Sequence, residues 1–135
     1  MSRKNKKKEF YNLEVFDAGA KGKSIAKAPD GKIVLLSDAV PGDVVDVQTL
    51  KKRKAYYEAK TVKFHRLSKD RIDAVCSHFG SCGGCKWQYM SYEKQLFFKQ
   101  KEVVNNLQRI GKLNLPEISP ILGAKKPYFY RNKME

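Results

Sequence analysis

The stretch Pro29-Asp30-Gly31-Lys32-Ile33-Val34-Leu35-Leu36-Ser37-Asp38-Ala39-Val40-Pro41-Gly42-Asp43-Val44-Val45-Asp46-Val47 decides the fold. It holds two turns, each followed by an apolar run. In Pro29-Asp30-Gly31 the proline fixes its own φ and the glycine accepts a positive one. Val40-Pro41-Gly42-Asp43 is another turn. Ile33 to Leu36 then reads as a short strand, buried on both faces or lying at a barrel seam. Val44 to Leu50 reads as the next strand, rich in β-branched residues. Upstream, Tyr11, Leu13 and Val15 alternate with Asn12, Glu14 and Phe16, the pattern of a half-buried strand. Gly19 and Gly22 break it, and Ser24 to Ala28 forms another short run. Downstream, Lys51-Lys52-Arg53-Lys54 reads as a basic loop and Tyr56 to Phe64 as a fifth strand with imperfect alternation. Five short strands at this spacing over residues 9–66 predict a mainly β fold, a small closed barrel of the OB-like kind.

The remainder has a different texture. Residues 67–90 are rich in Gly, Ser and Cys and show no period. One helix is expected at about 91–110, with Ser91 as N-cap and Gly111 at the C-cap place. Its predicted apolar stripe is Leu96, Val103, Leu107 and Ile110, with Phe97 and Val104 beside it. Pro116 and Pro120 exclude helix beyond, and Tyr128 to Lys133 reads as a strand beginning. The expected organisation is a disordered basic tail over 1–8, a barrel over 9–66, and a cysteine-rich segment with its helix over 67–135.

The chain has 135 residues, which suits one domain or one small domain plus an appendage. Twenty-eight Lys and Arg stand against 14 Asp and Glu, a net charge of +14. Residues 1–8 carry +5; nine basic against eight acidic groups leave +1 over 9–62; fourteen against six leave +8 over 63–135. Such an excess points to a polyanion: RNA, DNA or an anionic lipid surface. The longest aliphatic run, Ile33 to Leu36, is far short of the roughly 20 residues of a spanning helix. No apolar region follows the basic start, so it does not read as a secretory signal. A cytoplasmic protein with reduced thiols is therefore expected.

Cys76, Cys82 and Cys85 are spaced C-x5-C-x2-C. Two cysteines separated by two residues can converge on one metal across a tight turn. Gly83-Gly84 lets the backbone fold closely and aim its N–H groups at the sulfurs. An iron–sulfur cluster normally takes four cysteines, so a fourth ligand would come from outside this chain. Zinc would instead use Cys3His, with His78 or His65 completing a tetrahedron. The spacing alone leaves both readings open. A redox dithiol of Cys82 and Cys85 lacks the surrounding βαβ pattern. His65 and His78 show no acid partner in the sequence, and no catalytic set or nucleotide-cradling glycine loop appears.

Two basic surfaces are candidates for phosphate contact. The first is Lys51, Lys52, Arg53 and Lys54, followed by Tyr56 and Tyr57. Strand alternation turns one of these tyrosines inward and leaves the other, taken as Tyr56, as a platform on which a base can stack. The second comprises Arg71, Lys86, Lys125, Lys126, Arg131 and Lys133, with Tyr128 and Tyr130 interleaved.

Together these motifs resemble a known family. Gly19 to Ala26, Asp30 to Val34, Val40 to Val45, Lys51 to Tyr57 and Ala59 resemble the TRAM domain, a five-stranded RNA-binding barrel. Arg71, Cys76 to Cys85, Trp87-Gln88, Tyr92, Gln95 and Lys99 resemble the bacterial RNA (uracil-5-)-methyltransferases. The resemblance implies a [4Fe-4S] cluster, with Cys76, Cys82 and Cys85 matching three of its ligands. TRAM and cluster together look like the branch acting on 23S rRNA, the implied partner, with the enzyme a monomer. In such enzymes a cysteine attacks C6 of uracil, making C5 nucleophilic toward the methyl group of S-adenosylmethionine; a base then removes the C5 proton. The resemblance implies that the fourth cluster cysteine, the S-adenosylmethionine-binding fold and the catalytic residues lie beyond Glu135. The chain is accordingly expected to be an inactive N-terminal portion of a larger enzyme. The alternative is a complete, non-enzymatic TRAM-type RNA-binding protein with a zinc knob. A third is a protein held on ribosomal RNA by charge alone.

Overall fold

A computed structural model of the chain describes residues 6–132. Of the basic tail, Arg3 and Lys4 lie outside the described residues, as does Lys133 of the second basic surface. Five strands, β1 (Glu9–Ala18), β2 (Ser24–Lys27), β3 (Ile33–Leu36), β4 (Val44–Lys52) and β5 (Tyr56–Arg66), close into a barrel in the order β1-β2-β3-β5-β4. Neighbours are antiparallel except β3 and β5, which run parallel. The antiparallel pair β1 and β4 closes the circle. This is the small OB-like barrel that the turn spacing predicts. At its start, Lys8 already exchanges hydrogen bonds of 2.8 Å with Thr49 of β4.

The inward faces supply the core: Leu13, Val15, Ala26, Val34, Leu36, Val45, Val47 and Tyr57. In β3, Val34 and Leu36 are buried while Ile33 and Leu35 are half-covered, so the run is sealed on one face only. Between Tyr56 and Tyr57 it is Tyr57 that turns inward. Its phenol donates 2.6 Å to Asp30 Oδ2, which satisfies the buried hydroxyl. The alternation expected for β1 breaks at Asn12, whose φ is +51°. The β1–β4 register shifts there, so Phe10 packs on the core and Tyr11 faces water. A bulge inverts the parity of every residue before it, which a period-2 reading of the sequence does not register.

A second, smaller core holds Ala18 and Val40 of the barrel against Met90 and Phe98, with Trp87 and Tyr89 packed beside them. Helix α1 (Tyr92–Asn105) follows, and its last turn widens into a π-helical turn over Asn106–Ile110. Ser91 makes no side-chain cap; instead Gln95 Nε2 donates 3.0 Å to the carbonyls of Trp87 and Met90. Within α1 only Phe98 is buried, whereas Phe97, Val103, Leu107 and Ile110 of the expected stripe are exposed. Gly111 is right-handed rather than left-handed, its N–H donating 2.8 Å to Asn106 O. A Cβ there would stand 2.7 Å from Leu107 O, so close approach, not positive φ, asks for the glycine. The strand expected at Tyr128 does not form among the described residues.

Three contacts fix the post-barrel segment on the barrel. At Gly22, φ is +69° and an added Cβ would lie 2.5 Å from Lys86 Cβ. At Gly42, φ is +102° and an added Cβ would lie 2.7 Å from Ser68 Oγ. Between them, the buried Asp43 accepts hydrogen bonds from Val40 N, Ser68 N and Arg71 Nη2 at 2.8, 2.7 and 2.6 Å. Among the described residues no helix is long and apolar enough to cross a membrane.

Candidate functional site

Half of the basic run expected as a loop is strand. Lys51 and Lys52 end β4, opposite Glu58 and Tyr57, and the connection is only Arg53, Lys54 and Ala55. Register dictates their direction. Inward Tyr57 makes its neighbour Tyr56 point outward, in the same cross-strand row as Ile33 of β3. All four cations are exposed, and among the described residues only Arg53 is in an ion pair, with Nε 3.5 Å from Glu58 Oε1. That pair is solvent-screened and contributes little. The result is a raised cationic corner at the β4–β5 end of the barrel, with the half-buried Tyr56 ring at its base. On OB barrels this connection and the β1–β2 connection carry nucleic-acid contacts.

Arg71 is placed differently from the other cations. Its guanidinium grips buried Asp43 at 2.6 Å and donates 3.1 Å to Asp38 O. It also lies between the rings of Phe64 and Tyr89, 4.9 and 5.2 Å from their centroids. With 17% of its side chain exposed, it joins the barrel to the cysteine segment. Lys86 is exposed and lies against Gly22. Arg131 is exposed and close to Gly84, where an added Cβ would meet its Nη1 at 2.6 Å.

The three cysteines are free, Cys76 and Cys85 exposed and Cys82 half-buried. Two features suit ligation of a soft metal: three cysteines within ten positions, and the Gly84 N–H pointing at Cys82 Sγ from 3.4 Å. The donor set thus fits a soft metal centre in kind. It does not close one in this conformation: among the described residues no three His, Cys, Asp or Glu side chains stand close enough to hold a metal ion. His78 is exposed, and its carbonyl accepts from Cys82 N at 2.9 Å.

His65 has an acid partner that the sequence order hides. Its Nε2 is 2.7 Å from Asp46 Oδ1, across the irregular β4–β5 ladder. The same carboxylate accepts 2.8 Å from the N–H of bulged Asn12. That backbone hydrogen bond, then His65, holds the Asp46 carboxyl below the ordinary carboxylate range. Asp30 is held low likewise, first by the Tyr57 hydroxyl and then by the Lys32 N–H. Tyr57 is raised in return, chiefly by its bond to Asp30 and then by burial.

Sequence reasoning missed a cleft of about 520 Å³ between the barrel, the cysteine segment and α1. The β1–β2 turn contributes Lys21 and Gly22, and residues 127–131 close the far side. Tyr92, Gln95, Lys99 and Glu102 contribute one face of α1. Their 3-4-3 spacing was the available signal for a polar face on that helix.

No family model matches the chain. It is 55% identical over 116 residues to an uncharacterized RNA methyltransferase of Bacteroides thetaiotaomicron, covering 86% of this chain and 25% of that protein. It is 40% identical over 131 residues to one of Chlorobaculum tepidum, covering 96% and 27%. A third, from Porphyromonas gingivalis, is 37% identical over 123 residues, covering 91% and 26%. The chain therefore spans about a quarter of the length of the curated relatives it matches.

Proposed function

We propose that this chain is the RNA-recognising and cluster-bearing portion of an S-adenosylmethionine-dependent RNA (uracil-5-)-methyltransferase acting on 23S rRNA. The observation that carries the reading is the likeness, over nearly the whole chain, to proteins named RNA methyltransferases. The barrel geometry supports it. Lys51, Lys52, Arg53 and Lys54 form a cationic corner able to track a phosphate backbone, and Tyr56 offers a ring beneath it. Lys86 and Arg131 extend the positive surface past the cysteine segment. Arg71 acts on this surface through Asp43, by fixing the two parts to each other.

Cys76, Cys82 and Cys85 would hold a [4Fe-4S] cluster, with the fourth ligand from outside this chain. Bound, the group would cross-link the loop through iron–thiolate bonds. Closure of the loop on its ligands would then accompany binding, as at metal sites that are not preformed. Anaerobic reconstitution with iron and sulfide is expected to give a visible-absorbing product that Cys82→Ser loses. One zinc per chain, and no iron uptake, would instead favour the zinc-knob protein.

The activity is tested on the full-length protein with deproteinised 23S rRNA and labelled S-adenosylmethionine. Label in 5-methyluridine is expected, and its yield should fall when the Lys51–Lys54 cations are replaced by Gln. Label in a different nucleoside, or none, would sink the uracil-5 assignment.

A further inference from the structure

The cleft beside α1 has the chemistry of a base-binding site. Trp87 lines it and is held rigidly: its indole N–H donates 3.0 Å to Gly22 O, and Gln95 holds its carbonyl. One side of the indole packs on the second core. A ring already fixed in place loses little freedom when something stacks on it. Lys21, Lys86, Lys99 and Arg131 surround the opening against one acid, Glu102. None of these four cations is in an ion pair among the described residues.

The far wall adds further aromatics, among them Phe129. Phe129 is 99% exposed and has a φ of +60°, a conformation that bulky residues rarely hold. A solvent-facing ring held in that conformation at the mouth of a cleft invites a flat partner. A fixed indole ringed by cations, with an exposed phenyl ring at the mouth, matches an unpaired base with its flanking phosphates. A duplex keeps its bases stacked inside and cannot offer one to a cleft of this depth.

We propose that this cleft takes one unstacked base of single-stranded RNA, against Trp87 and Phe129, with the flanking phosphates on Lys86, Lys99 and Arg131. The inference rests on the RNA-binding reading and deepens it: the barrel corner tracks backbone, whereas the cleft selects single strand.

Trp87 is the sole tryptophan of the chain, so its emission reports this cleft alone. The test titrates the 135-residue chain with hexauridylate, hexaadenylate and a blunt-ended two-strand RNA duplex, following Trp87 emission and the anisotropy of labelled RNA together. Single strands are expected to quench Trp87 and the duplex to leave it unchanged. Lys99→Glu and Phe129→Ala alter exposed side chains, and each should weaken single-strand binding roughly tenfold. Binding by anisotropy with unchanged Trp87 emission, or equal quenching by the duplex, would overturn the cleft and leave the barrel reading intact. Absence of any RNA binding would remove both. In the full-length protein, RNA affinity unaffected by these two variants would mean that polypeptide fills the cleft, and would likewise overturn the proposal.

Discussion

Single residues decide how the barrel and the cysteine segment meet. Gly22 is the clearest case. Its positive φ and the 2.5 Å approach of Lys86 Cβ leave no room for a methyl group. Gly22→Ala should cost about 1–3 kcal/mol and expose Trp87, seen as a red shift of its emission. An unshifted spectrum at unchanged stability would contradict the docking contact. Arg71 is the second case. Replacing it by Met leaves Asp43 buried without its cation, at a cost of about 3–5 kcal/mol. Urea unfolding of the chain measures this directly, and a loss under 1 kcal/mol would refute the clamp. Neither contact is legible in the sequence. Gly22 reads there as a strand breaker, and the Trp87 that needs it lies 65 positions away. Arg71 reads as one more surface cation, because its buried partner Asp43 sits inside a turn motif.

At the scale of elements, the strands are largely legible and the helix much less so. Turn residues and short apolar or alternating runs mark the five strands, most sharply β3 and β4 after their proline–glycine turns, because turn chemistry and strand preference are local. The bulge at Asn12 is not local in this sense. It is held by Asp46 of β4, so the inversion of Phe10 and Tyr11 emerges only from the pairing. In α1 the period locates the helix but not its buried face: Val103, Leu107 and Ile110 of the expected stripe are exposed, and Phe98, outside that stripe, is the residue buried. Two carboxylates make the barrel pH-sensitive. Asp30 and Asp46 have folded pKa values below the unfolded value of about 4, so their stabilisation is present above that range. It is lost as pH falls through the folded values. The Asp30→Asn, Asp46→Asn double variant should therefore show a flatter decline of unfolding midpoint in acid than the unmodified chain. Parallel declines would show that the two pairs do not couple folding to protons.

Across the whole molecule, charge and cysteines mean more once the fold is known. Residues 9–62 are nearly neutral, yet four cations gather at one barrel corner. Of the cations beyond residue 62, Lys86, Lys99 and Arg131 line the cleft, so positive charge lies on both the barrel and the part that follows it. The cysteine spacing was visible from the start. The cleft was not, because its walls come from four separated stretches of chain. The central claim is that this surface binds RNA through its phosphates. The most direct test is RNA affinity of the 135-residue chain over a range of salt concentrations, with and without Lys51→Gln, Lys52→Gln, Arg53→Gln and Lys54→Gln together. Affinity should fall steeply with salt, with a log–log slope shallower by about 3 in the quadruple variant. Binding that is absent at low salt, or a slope that the variant leaves unchanged, would contradict the claim.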